Sequence, residues 1–357
     1  MEDFFFCCTI SFYELCISKT IKNNSLMRAS TFKFLFLMLM GALLAGCKNT
    51  ASPSTDESDT PSYDDYSFPS NAIYHWKTTF NPDSFDLYFL KEYRIGVVYM
   101  RMFDIVTETD PLSGSTQVVP IATTRFQKPV PDNMNVIPTT YITTNALREM
   151  QGKEEEYARL IVERLVAMHA YNNCGLLEEI QFDCDWTSTT RASYARLCQH
   201  ARELLDEKEV RLSITLRLHQ LDEEAPPADY AVLMLYNTGN LKEKDTRNSI
   251  LDVNDVKPYL KQCGKYPLPL SYAYPMFGWG VMFRNGKFVS IVAEDSVSTS
   301  SDVYIRRERP SVSEILEVKK LVEESLGKSE TGNILYHIDQ SQLKNYSDEE
   351  IRSIYND

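Results

Sequence analysis

Asp183 and Asp185 stand two positions apart in "LLEEIQFDCDWTSTTRASYARL", residues 176–197, inside an apolar run that reads as a strand. Side chains on a strand alternate between faces. Ile180, Phe182 and Cys184 therefore make one apolar face, and Gln181, Asp183 and Asp185 the other. The two acids lie about 6.6 Å apart along the backbone. Shielded carboxylates that close split their pKa values, and one can stay protonated as an acid. The run 210–220 repeats the pattern, with Leu212, Ile214, Leu216 and Leu218 on one side and Ser213, Thr215, Arg217 and His219 on the other. Acid–base chemistry through Asp185, with Asp104 as a second carboxylate, is one reading of these groups. A buried ion pair of Asp183 with Arg217 or Arg101 is the other. His219 fits a base, a substrate contact or a hydrogen-bonded interior histidine, and Glu179 points toward the lower part of the same face.

Aromatic residues gather beyond the same strand ends: Trp186, Tyr236 followed by Asn237, Tyr272, Tyr274 and Trp279. Their ring faces match the apolar face of a pyranose, or else they cover the top of the fold. The histidines show no ligand spacing, so no catalytic metal and no cofactor is expected. A net charge of -13, with no basic stripe and no glycine-rich phosphate loop, argues against nucleic acid. Arg306-Arg307-Glu308-Arg309 reads as a solvated charged turn, and His75-Trp76 as packing of the leading segment under the fold.

The elements that must position these groups alternate. Strand-like runs cover 94–105, 117–126, 134–143, 177–186, 210–220, 230–237, 268–277 and 333–339, bounded by Pro, Gly or Asp. Helical patterns cover 147–172, 188–208, about 253–263, 312–327 and 347–355. Strands interleaved with helices predict an α/β fold with a parallel sheet, and the ordered length suits a (β/α)8 TIM-like barrel. Such barrels place their sites at the C-terminal strand ends, where Asp185, Arg217, His219 and Tyr236 fall. The second and third runs are joined without a clear helix. "RNGK" predicts a β-hairpin insertion at 281–310, after the seventh strand.

The N-terminal part is of another kind. "MRASTFKFLFLMLMGALLAGC" pairs a basic start at Met27 with a short apolar run and small residues ending at Cys47. That is a secretory signal. Its end resembles the bacterial lipoprotein lipobox, which implies cleavage before Cys47, acylation of that cysteine and lipid anchoring in the cell envelope, with the outer membrane the expected site. Residues 1–26 then read as sequence upstream of the true start, 27–46 as the signal peptide, 47–70 as a Ser/Thr/Pro/Asp-rich tether, and 71–357 as the barrel. Cys174, Cys184, Cys198 and Cys263 lack CxxC spacing and read mostly as small buried hydrophobes.

"FDCDWT" resembles the fourth-strand signature of family 18 glycoside hydrolases, the chitinase-like barrels. "MLYN" is similar to that family's sixth-strand Met-x-Tyr-Asp/Asn, and "SYAYPMFGWG" to its seventh-strand segment. The resemblance covers about 180–310, and the whole layout also resembles a group of bacterial exported lipoproteins. It implies that Asp183 and Asp185 fall on the family's last two aspartates, Trp186 on its aromatic, and Tyr236 on the tyrosine that contacts substrate. It also implies two departures: the general-acid glutamate falls on Thr187, and the first aspartate on Ile180. A threonine cannot protonate a glycosidic oxygen, so by the family rule the barrel is inactive as a chitinase. The expectation is an envelope-anchored barrel that binds or hydrolyses a glycan through Asp185, Asp183 and Tyr236, then Arg217 and His219, with Trp186, Asn237, Tyr274 and Trp279 as further contacts. The alternative is a catalytically inactive barrel serving as a binding or scaffold module.

Overall fold

The computed structural model describes residues 71–132, 134–262, 266–298 and 300–356. The expected upstream extension, signal peptide, tether and Cys47, and Cys263 as well, lie outside the described residues.

In chain order the strands are β1 (Asn71–His75), β2 (Thr79–Phe80), β3 (Ile95–Thr109), β4 (Thr116–Ile121), β5 (Arg125–Phe126), β6 (Asn135–Ile142), β7 (Glu179–Asp183), β8 (Arg211–Leu216), β9 (Tyr230–Met234), β10 (Leu270–Pro275), β11 (Trp279–Arg284), β12 (Lys287–Val292), β13 (Val303–Glu308) and β14 (Asn333–Tyr336). The helices are α1 (Ser84–Glu92), α2 (Thr144–Glu149), α3 (Glu154–Tyr171), α4 (Arg191–Asp206), α5 (Val253–Gln262), α6 (Val312–Leu326), α7 (Gln340–Leu343) and α8 (Asp348–Tyr355). β1, β3, β6, β7, β8, β9, β10 and β14 pair in parallel, and β1 joins β3 to close an eight-stranded barrel. That is the expected TIM-like α/β architecture.

Two strands differ from the sequence reading. The barrel's first strand is β1, whose Tyr74 and His75 are buried, so this segment is a barrel wall and not packing beneath it. The run at 117–126 is not a barrel strand. β3 continues past the barrel rim and β4 folds back on it antiparallel, with mostly exposed or half-buried residues. An antiparallel return needs only a tight turn. Here Asp110 Oδ1 accepts from the Leu112 amide at 2.7 Å and Gly114 takes φ 68°. This explains the missing helix between the second and third runs.

The apolar faces of the strands pack outward against the helices: Leu212, Ile214, Leu216, Ile180, Phe182 and Cys184 meet α3, α4 and their neighbours in one continuous core. Cys174, Cys184 and Cys198 are buried free thiols. The single helical pattern at 147–172 is two helices, broken where Gly152 adopts φ 82°. Acids in the first turn of α3 suit its positive end. One of them, Glu154, accepts from Ser193 Oγ at 2.8 Å and so ties α3 to α4.

The insertion after β10 is a three-stranded antiparallel sheet, β12-β11-β13. Asn285 and Gly286, with φ of 51° and 74°, make its turn. Its base is pinned by a buried cluster, which corrects the reading of 306–309 as a solvated turn. Arg306 Nε donates to Glu308 Oε1 at 2.5 Å, and Glu308 Oε2 accepts from Trp279 Nε1 at 2.8 Å and from Ser249 Oγ at 2.5 Å. Arg306 also donates to the carbonyls of Leu241 and Lys244, which fastens the segment after β9 to the insertion. Gly278 is required at this junction, because a Cβ there would stand 2.8 Å from the Glu308 carbonyl oxygen.

Candidate functional site

Alternation along β7 and β8 sends Asp183, Asp185, Thr215 and Arg217 to the barrel's inner face at its C-terminal end. Asp183 Oδ1 accepts from Thr215 Oγ1 at 2.6 Å and from Arg217 Nη2 at 3.1 Å. Of the two arginines considered, Arg217 is the partner. Arg101 instead donates through Nε to Asp104 Oδ1 at 2.6 Å, with Nη2 on the other carboxylate oxygen. That bidentate grip commits Asp104 to Arg101.

Asp185 sits nearer the mouth, its side chain 19% exposed. His219 Nε2 stands 3.4 Å from its Oδ1. Burial raises the Asp185 carboxyl above the usual range against the opposing pull of Arg217 and His219, and Asp183 adds to the rise. Burial likewise lowers the His219 imidazole, partly offset by Asp185. The environment thus moves an acid up and a base down toward each other. Gln220 fixes this corner, donating to the Trp186 carbonyl at 2.9 Å and accepting from the Arg217 amide at 2.8 Å.

Thr187 is part of a turn. The Thr187 amide donates to Thr190 Oγ1 at 3.0 Å, its hydroxyl is 3.0 Å from that of Thr189, and its carbonyl receives the Arg191 amide that opens α4.

Opposite the charged groups runs a belt of rings across the ends of β1, β14, β9 and β10. Trp76 and Tyr336 have centroids 5.8 Å apart, Tyr336 and Tyr236 4.7 Å, Tyr236 and Phe277 5.9 Å, and Phe277 and Trp279 5.3 Å. Arg101 lies over the Trp76 ring at 5.8 Å. Burial pushes the Tyr236 and Tyr336 phenols well above their usual range, so both stay neutral.

Of the residues expected from sequence, the structure gathers Asp183, Asp185, Arg217, His219, Tyr236 and Asn237 at the mouth. Trp186 and Tyr274 are placed elsewhere. Trp186 is 1% exposed and stacks on Tyr194 of α4, and Tyr274 is fully buried in the core between barrel and helices. Period-two alternation accounts for Trp186, which has the opposite parity from Asp183 and Asp185. Trp279 ends the ring belt, with its indole nitrogen committed to Glu308. Sequence reasoning missed Trp76 and Tyr336. The signal available was that each follows or ends a short apolar strand, but "NAIYHW" read as a leading segment.

Beyond the ends of β7, β8 and β9, Asp185 Oδ1, Arg217 Nη1 and Asn237 Oδ1 at the mouth, and Trp186 Nε1 turned toward α4, are buried without a hydrogen-bond partner among the described residues. Orphaned buried polar atoms are costly; others occur elsewhere in the barrel, but the first three border the mouth, where a ligand or ordered water can meet them.

No family model and no curated protein matches the chain. Solved structures do. The spore cortex-lytic enzyme SleL of Bacillus megaterium is similar at 12% identity and TM-score 0.51, over 81% of this chain and 74% of its own. A chitinase of Chromobacterium violaceum (11% identity, TM-score 0.49, 78% and 98% coverage) and the Ostrinia furnacalis Group IV chitinase with allosamidin (12%, 0.46, 81% and 98%) are also similar. At such identity the likeness is one of fold alone, that of a closed, parallel eight-stranded barrel with flanking helices.

Proposed function

We propose that this chain is a glycan-binding barrel that holds a sugar at the C-terminal mouth without the family's acid-catalysed cleavage. The observation that carries the reading is the pairing of a ring belt, Trp76–Tyr336–Tyr236–Phe277, with the Asp185, Arg217 and Asn237 atoms opposite, none of which has a hydrogen-bond partner among the described residues and of which Asp185 Oδ1 has only His219 at 3.4 Å. Rings take the apolar face of a pyranose, and the polar atoms take its hydroxyl or amide groups. Thr187, held in the α4 turn, carries a hydroxyl too weakly acidic to protonate a leaving group.

A second reading, hydrolysis with Asp185 as the acid, is favoured by its raised pKa and by its neighbour His219. Lipid anchoring through Cys47 in a bacterial envelope is proposed from the signal sequence alone.

A glycan-array screen of the protein beside an Asp185→Ala variant, with hits re-tested for cleavage, decides among these. Binding without products, weakened in the variant, is the expected result. Products abolished by the variant would select the hydrolase. No binding to any glycan would overturn both and leave a scaffold. Separately, Cys47→Ala should release the protein from membranes, and retention without a lipid label would sink the anchor.

A further inference from the structure

Below the mouth the barrel interior holds a second polar system that the site does not use. Glu179 opens β7 and is 2% exposed. Its Oε1 accepts from Ser213 Oγ at 2.6 Å and from Tyr230 OH at 2.5 Å. Ser213 in turn accepts from Gln181 Nε2 at 3.2 Å, and Gln181 Oε1 accepts from Tyr74 OH at 2.8 Å. Since Tyr230 spends its one proton on Glu179, the 2.8 Å contact between the Tyr99 and Tyr230 hydroxyls is a donation from Tyr99. Two chains, Tyr74–Gln181–Ser213 and Tyr99–Tyr230, therefore converge on one carboxylate with every donor pointing toward it.

The upper end of the first chain touches the site. Tyr74 stacks edge-on with Trp76 at 5.9 Å and contacts Tyr336 at 5.6 Å. Asp183 is close enough to push the Tyr74 phenol upward, behind the larger effect of burial. A hydroxyl spent on Gln181 is one not offered to Asp183, which is left to Thr215 and Arg217.

We propose that Glu179 is a positioning residue for the mouth: it terminates the chain that fixes Tyr74 beneath Trp76 and Tyr336, and its protonation loosens that chain. The part concerning ligand affinity rests on the glycan-binding reading; the part concerning Tyr74 does not.

The charged and titratable groups facing Glu179 are Arg211 on β8, at 3.5 Å from Oε2 and largely exposed, Tyr230 on β9 with Asp229 just before it, and Tyr99 on β3. Burial raises the Glu179 carboxyl from 4.5 to about 7, against the two hydroxyl donors and Arg211. The folded barrel therefore keeps this proton in a range where the unfolded chain releases it. Stability from this group is full below about pH 4.5 and is lost as pH rises through about 7.

The test uses Glu179→Gln, which keeps the shape and the acceptor oxygen. Thermal midpoints are measured from pH 5 to 8 for the wild type, Glu179→Gln, Tyr74→Phe and the double variant. The wild-type midpoint should fall by several degrees across this range relative to Glu179→Gln. The Tyr74→Phe shift should be smaller in the Glu179→Gln background than in the wild type. Equal pH slopes, or strictly additive shifts, would overturn the proposal without any ligand. Where a glycan binds, Ser213→Ala should abolish the pH dependence of its affinity while keeping that of stability. Affinity that still tracks pH in Ser213→Ala would remove the link to the mouth. If Glu179→Gln fails to fold, Tyr230→Phe takes its place: losing a donor to the carboxylate should move the stability transition to higher pH, and an unmoved transition would overturn the proposal.

Discussion

The barrel carries two polar systems, and they are built to opposite specifications. In the interior, Glu179, Ser213, Gln181, Tyr230, Tyr99 and Tyr74 satisfy one another in converging chains. At the mouth, one buried atom each of Asp185, Arg217 and Asn237 has no hydrogen-bond partner among the described residues. The interior groups sit on β7 and its barrel neighbours and the mouth groups just beyond the ends of β7, β8 and β9, a few residues further along. The difference teaches which polar groups are structure and which await something else. A closed network rigidifies a core, whereas an open one bears the cost of desolvation until a ligand or water arrives.

The comparison breaks most visibly if an interior group and a mouth group have the same effect. Glu179→Ala should cost the largest stability, about 3 kcal/mol in urea unfolding, because it strands the Ser213 and Tyr230 hydroxyls beside a new void. Arg217→Met should cost somewhat less, about 2 kcal/mol, since Thr215 still donates to Asp183 and the site is partly wet. It should also remove ligand binding, since Arg217 both holds Asp183 and turns to the mouth a buried Nη1 without a hydrogen-bond partner among the described residues. Trp76→Ala should leave stability within about 1 kcal/mol while weakening glycan binding about tenfold, measured by calorimetry. A large stability loss there would place the ring belt with the structure instead.

Acidity sharpens the contrast further. The Asp185 carboxyl is raised by burial, so the folded protein takes up its proton at a higher pH than the unfolded chain does. Stability from this group is therefore gained as pH falls through that raised value. Glycan affinity that uses the ionised oxygen should decline over the same interval, and Asp185→Asn should abolish that decline. The smallest expected effect is that of Thr187→Glu. It removes two hydroxyl contacts in the α4 turn for less than about 1 kcal/mol, and a trace of glycan cleavage absent from the parent should appear in a product assay.

Much of this was legible in the sequence, and the reason is periodicity. A strand's side chains alternate without regard to what surrounds them, so the split of Ile180, Phe182 and Cys184 from Gln181, Asp183 and Asp185 follows from order alone, as does the split along β8. Hairpin chemistry is equally local, and "RNGK" needs only a positive φ at Asn285 and Gly286. What failed did so because the deciding contact was remote. β1 is five residues long, and its identity as a barrel strand rests on pairing with β3 and β14. β4 has a strand's composition, yet an antiparallel return on β3 keeps it outside the barrel. The buried Arg306–Glu308 pair looks, as sequence, like a solvated turn.

The sequence by itself determined the βα alternation, the faces of β7 and β8 and the place of the insertion, since each depends on residue type and near-neighbour spacing. Only the tertiary structure decided which arginine holds Asp183, that Trp186 turns away from the mouth while Trp76 and Tyr336 line it, and that Glu179 gathers two chains of hydroxyls. Those outcomes depend on side chains far apart in the chain being brought within hydrogen-bond or ring-contact distance, and closure of the barrel is what brings them there.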